Sequence, residues 1–183
     1  KALVMGNKSK VANVNFYDDI HQEVNAVASF NHIVVAAANG SGKTCNIVCV
    51  GESTTAGGEM TQRLLDIEAT DVLTLNCVGT RGTGVNKHEG VGGMTMSWHL
   101  GNDASAFTSA TNTFNYPAFI TAIGGVIPNI VSIQIGINAM LSVMNKYDLS
   151  TKIATEMASY TTFINNIKAS QPTTKFIVNT CIL

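Results

Sequence analysis

The chain has 183 residues and a net charge of −1, one domain's worth of material with no electrostatic footprint for nucleic acid or anionic lipid. Its eleven basic residues are scattered, and Asn, Ser and Gly interrupt every apolar stretch, which excludes an uninterrupted apolar membrane span. Hydrophobic residues make up 45% and charged residues only 13%, against a usual charged share of about 25%. Part of the surface is therefore expected to be covered by more of the same polypeptide or by partner subunits in an oligomer.

Residues 1–44 mix short β-like pieces (Val11–Tyr17, Val24–Phe30 and Ile33–Ala37) with Asn, Ser and Gly, and show no helical periodicity. This predicts a small β-rich lead-in or linker packed on a main domain of residues 45–183. The stretch Ala37-Ala38-Asn39-Gly40-Ser41-Gly42-Lys43-Thr44 fits a relaxed phosphate-binding loop. Such a loop needs a helix starting at its Lys-Thr. A strand follows almost at once, so the glycines read as a turn and nucleotide binding is rejected.

From residue 46 the pattern alternates strand and helix. Asn46–Gly51 is a short β-branched run ending in Gly, as expected of a buried parallel strand. Glu59–Ile67 places Met60, Leu64 and Ile67 at helical spacing, and Asp71–Val78 is a second strand. A long loop rich in Gly, Thr and Ser runs from Thr80 to about Thr113, a length that is usually functional. Pro117–Ile123 begins a helix that Gly124-Gly125 would stop, and Ile130–Ile135 is a third strand. The best helix is Ser150–Ala169, with an apolar stripe of Ile153, Met157, Tyr160, Ile164 and Ile167, capped by Asp148 or Ser150. Lys175–Cys181 is a fourth strand. This alternation predicts an α/β fold, a mostly parallel sheet covered by helices on both faces. The four cysteines (Cys45, Cys49, Cys77, Cys181) lie in or beside apolar runs, without metal-ligand spacing, and read as small buried hydrophobes.

Three segments fall where an open α/β sheet places its site, just past the carboxyl ends of strands. They are Gly51-Glu52-Ser53-Thr54-Thr55, His88-Glu89-Gly90-Val91-Gly92-Gly93-Met94-Thr95, and Gly136-Ile137-Asn138-Ala139. Their chemistry suits acyl transfer. A serine on a tight strand-to-helix turn exposes its Oγ, and Gly51 tolerates that turn. The turn is expected to aim the N-terminus of the Glu59–Ile67 helix at the site. Ser53 N–H, Gly93 N–H and the Asn138 side chain would then form a three-donor oxyanion hole, each donor worth about 2.7–4 kcal/mol in the transition state. Taken singly, Ser53 also reads as an N-cap for the Glu59–Ile67 helix, Asn138 as a strand-end turn former and Gly93 as simple loop flexibility.

These segments resemble, in order, blocks I, II and III of the SGNH (GDSL-like) ester hydrolases. The flanks agree: VGTRG followed by NKHEGVGGMT looks like the block-II loop of carbohydrate esterases, and PNIVSIQIGIN looks like their block III. The resemblance covers roughly residues 46–183. It implies a three-layer α/β/α sandwich with a flavodoxin-like sheet, and a serine esterase or deacetylase with Ser53 as nucleophile and Gly93 and Asn138 in the oxyanion hole. It implies a small-molecule or glycan acyl ester as substrate, no metal or cofactor, and a secreted or extracellular setting.

The departures are specific. Glu52 stands where the family has Asp, Ala139 replaces the Asp of G-x-N-D, and Met94 replaces a Trp. The D-x-x-H block that supplies the catalytic His and Asp would follow a fifth strand, so it is expected outside this chain and the domain is expected to be C-terminally truncated. His88 matches a block-II histidine that is not the base. His99 reads as structural and His32 as an edge residue opening a β-run. Asp18-Asp19-Ile20-His21 has D-x-x-H spacing but precedes the nucleophile. The alternative function is a catalytically degenerate domain of this type, kept for glycan binding or as a structural module of a larger assembly.

Overall fold

In the computed structural model, which describes residues 8–17, 23–32, 40–69, 72–141, 143 and 146–179, the first two strands form a long hairpin. Strand β1 (Lys8–Tyr17) pairs antiparallel with β2 (Glu23–His32) in one uninterrupted register, from Lys8↔His32 to Tyr17↔Glu23. His32 therefore closes a strand rather than opening one. The piece expected at 33–37 lies outside the described residues, as does His21 with its two aspartates. The chain divides into two units, Lys1–Asn39 and Gly40–Leu183.

The second unit begins with a turn at Gly40–Gly42, closed by the Lys43 N–H donating to the Gly40 carbonyl at 2.8 Å. Strand β3 (Thr44–Gly51) follows directly, so no helix stands after Lys43-Thr44 to cradle a phosphate. After β3 come α1 (Ser53–Ala56), α2 (Glu59–Glu68), β4 (Thr74–Cys77), β5 (Arg81–Thr83), β6 (Asn86–Gly90) and α3 (Met96–Gly101). The remainder is α4 (Tyr116–Ala122), β7 (Ile130–Gln134), α5 (Ile137–Met140), α6 (Lys146–Ser170) and β8 (Lys175–Val178).

The chain is α/β with an open, mostly parallel sheet in the order β5-β6-β3-β7-β8. Along one edge of β3, β4 pairs with its amino half (Thr44–Ile47) and β6 with its carboxyl end (Val50–Gly51). Only the β5–β6 hairpin of this sheet is antiparallel. The chain thus builds to one side of β3, then crosses to the other side with β7 and β8. The switch point, where open α/β sheets place their ligands, lies beyond the carboxyl ends of β3 and β7.

β3 reads as a continuous apolar run because both its faces are covered. Val48 and Val50 enter the larger core, with Val131 and Ile133 of β7, Phe119 of α4, and Phe163 and Ile167 of α6. Phe107 is fully buried at its centre, its ring 4.5 Å from Phe119 and 5.0 Å from Phe163. Ile47 and Cys49 enter the smaller core, with Cys77 and with Met60 and Leu64 of α2. Cys49 and Cys77 are buried hydrophobes there, and burial pushes the Cys49 thiol up to about 12. Cys45 is half-buried, and Cys181 lies outside the described residues.

Several boundaries differ from expectation. The second strand is only Thr74–Cys77, and Ile67 of α2 faces solvent. The long loop after it is not structureless: it holds the β5–β6 hairpin and α3. Helix α6 starts at Lys146, so Asp148 and Ser150 lie inside it rather than capping it. Its apolar stripe is also divided. Tyr160, Phe163 and Ile167 are buried, whereas Ile153 and Met157, two turns and one turn before Tyr160, are 46% and 55% exposed. Periodicity placed both halves on one face. The core lies only under the C-terminal half.

Candidate active site

Ser53 is exposed and opens the single-turn helix α1, immediately beyond the buried Glu52. It does not cap the longer helix, because α2 starts only at Glu59, behind its own N-cap, Gly58 (φ +80°). The helix that follows the strand-to-helix turn is therefore α1, not the Glu59 helix. Gly51 is needed for space rather than for turn geometry. A Cβ there would stand 1.9 Å from Thr55 Oγ1 and 2.7 Å from the Gln134 carbonyl.

The second segment seats directly on this turn. β6 pairs in parallel with the end of β3, Gly90 opposite Gly51, and the Val91 N–H donates to the Gly51 carbonyl at 3.0 Å. Gly90 lies so close to α1 that a Cβ would approach the Ala56 backbone nitrogen to 2.3 Å, while one on Gly92 would come to 3.9 Å from Ser53 Cβ. Gly93 has φ +77°, a conformation that favours glycine, and open space beside it.

Glu52 draws in the third segment. It is 3% exposed, and its Oε2 accepts from the Asn138 side chain at 3.1 Å, from Gly136 N–H at 3.3 Å and, at a longer 3.5 Å, from Asn138 N–H. The other Asn138 amide hydrogen goes to the Met94 carbonyl at 3.1 Å. Ser53, Gly93 and Asn138 are thus brought together, each within one residue of this hydrogen-bonded link. The Asn138 amide does not point into an empty hole, however; both its hydrogens are committed. The residue that ties the segments is Glu52, whose longer side chain read as a mere departure from a motif. Ala139 is fully packed at the start of α5.

The sequence reading also passed over a clasp beneath the second segment. Glu89 is buried and accepts from the Thr80 N–H and, at 3.1 Å, from the Thr80 hydroxyl, with Arg81 Nε at 3.7 Å. Burial raises its carboxyl above the usual range, and the Thr80 donors and Arg81 oppose that. The GTR…HEG spacing holds all three residues and was the available signal. His88 is buried, and its Nδ1 accepts from the Gly90 N–H at 3.1 Å; burial first, then Arg81 and Lys87, lower its pKa.

His99 is 1% exposed, edge-on to Trp98 at 5.1 Å and to Phe107 at 5.8 Å. Neither ring nitrogen has a hydrogen-bond partner in good geometry. Burial pushes its pKa down to about 4, and the Gly51 carbonyl works weakly the other way. Since the folded ring resists protonation while the unfolded one titrates near 6.5, stability present above that pH is lost as the pH falls toward about 4. At about 1.4 kcal/mol per pH unit the loss reaches about 3 kcal/mol. In urea unfolding at pH 7 and pH 4, the wild type should lose about that much more than His99→Phe. Parallel pH profiles for the two proteins would exclude His99 as the source.

Among the described residues no group of three or more His, Cys, Asp or Glu side chains is placed to hold a metal ion, and no helix is long and apolar enough to cross a membrane. No protein-family profile, curated protein or solved structure matches this chain.

Proposed function

We propose that this chain is an SGNH-type serine ester hydrolase with a three-layer α/β/α fold, acting on a small-molecule or glycan acyl ester. The observation that carries the reading is the Glu52–Asn138–Met94 link. It gathers an exposed serine, a glycine with a left-handed backbone and an asparagine from three distant segments at the carboxyl edge of the sheet, where the strand order switches direction. In the proposed reaction Ser53 Oγ bonds to the acyl carbon while a base takes its proton. The carbonyl oxygen, negative in the tetrahedral intermediate, is held by the Ser53 and Gly93 N–H groups. The alcohol leaves with the proton, and water then hydrolyses the acyl-enzyme. The Asn138 amide joins the hole by exchanging its Met94 carbonyl for the oxyanion. His88 and His99 are both buried, so the reading takes its base from outside the described residues.

The test is covalent. A fluorophosphonate should add one phosphonyl group to the intact protein, mapped to Ser53 by mass spectrometry, and prior denaturation should abolish the reaction. An unlabelled protein, or a label elsewhere, would remove the nucleophile. The second reading, a degenerate domain of this type kept for glycan binding or as a structural module, is favoured by the committed Asn138 amide. It becomes the better account if Ser53 stays unlabelled.

A further inference from the structure

Between the segment that leads into α4 and the last turns of α6 lies a cavity of about 380 Å³. Its volume falls within the range for ligand pockets, about 300–1,000 Å³, and none of its described lining residues is charged. Its apolar part is Phe114 and Pro117. Phe114 is half-buried, its ring held parallel to Phe107 at 6.2 Å and edge-on to Phe163 at 5.5 Å. The polar part is uncommitted. Asn115 gives its side-chain oxygen to the Ala118 N–H at 3.1 Å and keeps both amide hydrogens. The Asn166 amide and the Ser170 hydroxyl hold no hydrogen bond among the described residues. Tyr116 is the most deeply placed of the lining residues, 1% exposed, and its hydroxyl is buried without a partner. Burial pushes its pKa up to about 12, so it stays an O–H donor. A buried tyrosine hydroxyl normally finds an acceptor, and here no protein group supplies one.

Two carboxamides and two hydroxyls around one hollow call for a ligand with several hydroxyls, each able to donate and to accept. Phe114 and Pro117 call for an apolar face on the same ligand. The C–H hydrogens of a sugar ring meet that need, because they suit the negative face of an aromatic ring. A charged ligand would find no opposite charge in this lining, and a purely apolar one would leave the polar groups desolvated and unpaired. We infer that this cavity is a saccharide-binding site that takes one neutral pyranose unit. It is separate from the candidate active site. Asn166 and Ser170 stand at the C-terminal end of α6, and the turn 171–174 joins that end to the start of β8 at Lys175. The cavity therefore lies toward the amino edge of the sheet, whereas Ser53 follows the carboxyl end of β3. A strand of the length of β7, five residues, separates the two edges by about 15 Å. A sugar held here is an anchor and not the reacting group, and the inference does not rest on the hydrolase reading.

The test is a titration of the full chain, labelled with ¹⁵N, against the methyl pyranosides of glucose, galactose, mannose and xylose. At least one of them should shift the amide signals around Asn115 and Ser170 to saturation. Asn166→Ala and Tyr116→Phe should each weaken that sugar by about fivefold, as the loss of one neutral hydrogen bond does. Both keep the fold: alanine suits a helix, and phenylalanine keeps the ring while removing only the unpartnered hydroxyl. Sorbitol has the hydroxyls but neither a ring face nor a fixed shape, and should bind about tenfold more weakly than the best pyranoside. No saturable shift with any of the four sugars overturns the site. Binding indifferent to both substitutions overturns it as well, because the sugar then sits elsewhere on the protein. Sorbitol binding as tightly as the best pyranoside would overturn the assignment to a sugar ring. None of these probes carries an ester, so a protein that fluorophosphonate fails to label at Ser53 should give the same titrations.

Discussion

Replacing Glu52 by alanine should cost about 3–5 kcal/mol of folding stability and, with ester substrates, at least a hundredfold in kcat/KM. The side chain is buried, and one of its oxygens receives the Gly136 N–H and both the amide and backbone N–H groups of Asn138. Its loss strands those donors and opens a hollow beneath the site. Hydrogen bonds to a charged acceptor are worth about 1.5–3 kcal/mol each, and stranded buried donors add their desolvation cost. The kinetic loss follows from geometry, since a misplacement of about 1 Å in a catalytic constellation costs about 10²-fold. Glu52→Asp is the sharper variant. It keeps the carboxyl but withdraws it by one methylene from a contact that spans from β3 to the segment after β7. About 1–3 kcal/mol should be lost, even though aspartate is what the resembled motif carries. Urea unfolding and ester hydrolysis on the two variants read both effects. An alanine variant within about 1 kcal/mol of wild type would show that Glu52 does not hold the segments together.

Gly90→Ala should destabilise by about 3 kcal/mol or more. The added Cβ would stand 2.3 Å from the Ala56 nitrogen and 2.5 Å from the Thr55 carbonyl carbon. These are backbone atoms, so no rotamer change relieves the overlap; α1 or β6 must move, and Ser53 moves with α1. Inserting a group into well-packed structure typically costs about 1–3 kcal/mol, and more where backbone must give. Gly92→Ala, two residues on, is the control. Its Cβ meets only Ser53 Cβ, at 3.9 Å, so its stability should stay within about 0.5 kcal/mol of wild type. Urea midpoints of the two variants decide the matter: equal midpoints would mean that β6 does not pack on the serine turn as described.

Much of the architecture was readable without coordinates. The apolar run at Asn46–Gly51 announced a strand covered on both faces, because only such a strand has no polar alternation. The helix after Glu59 followed from Met60 and Leu64, which do pack on the smaller core. The β5–β6 hairpin escaped notice because Arg81–Thr83 and Asn86–Gly90 carry little β-branched or alternating signal. Pairing with β3, not local propensity, makes Glu89-Gly90 a strand. The early start of α6 has a related cause: Asp148 and Ser150 are good caps locally, yet Asp148 is equally favoured inside a first turn and Ser150 is tolerated just after it, so residue type alone does not say where the helix begins.

By itself, then, the order of residues determined the alternation of strand and helix, the parallel sheet and the three segments that belong at its carboxyl edge. All of these are set by short-range spacing of apolar, Gly and polar residues. Only the tertiary structure decided that Glu52 spans to Asn138, that Asn138 is held by Met94, that Gly90 presses against α1, and that the apolar stripe of α6 covers a core along one half and borders a cavity along the other. Those are contacts between segments tens of residues apart, where the reach of a side chain and the space beside a backbone atom are fixed by the packing of whole elements and leave no periodic trace along the chain.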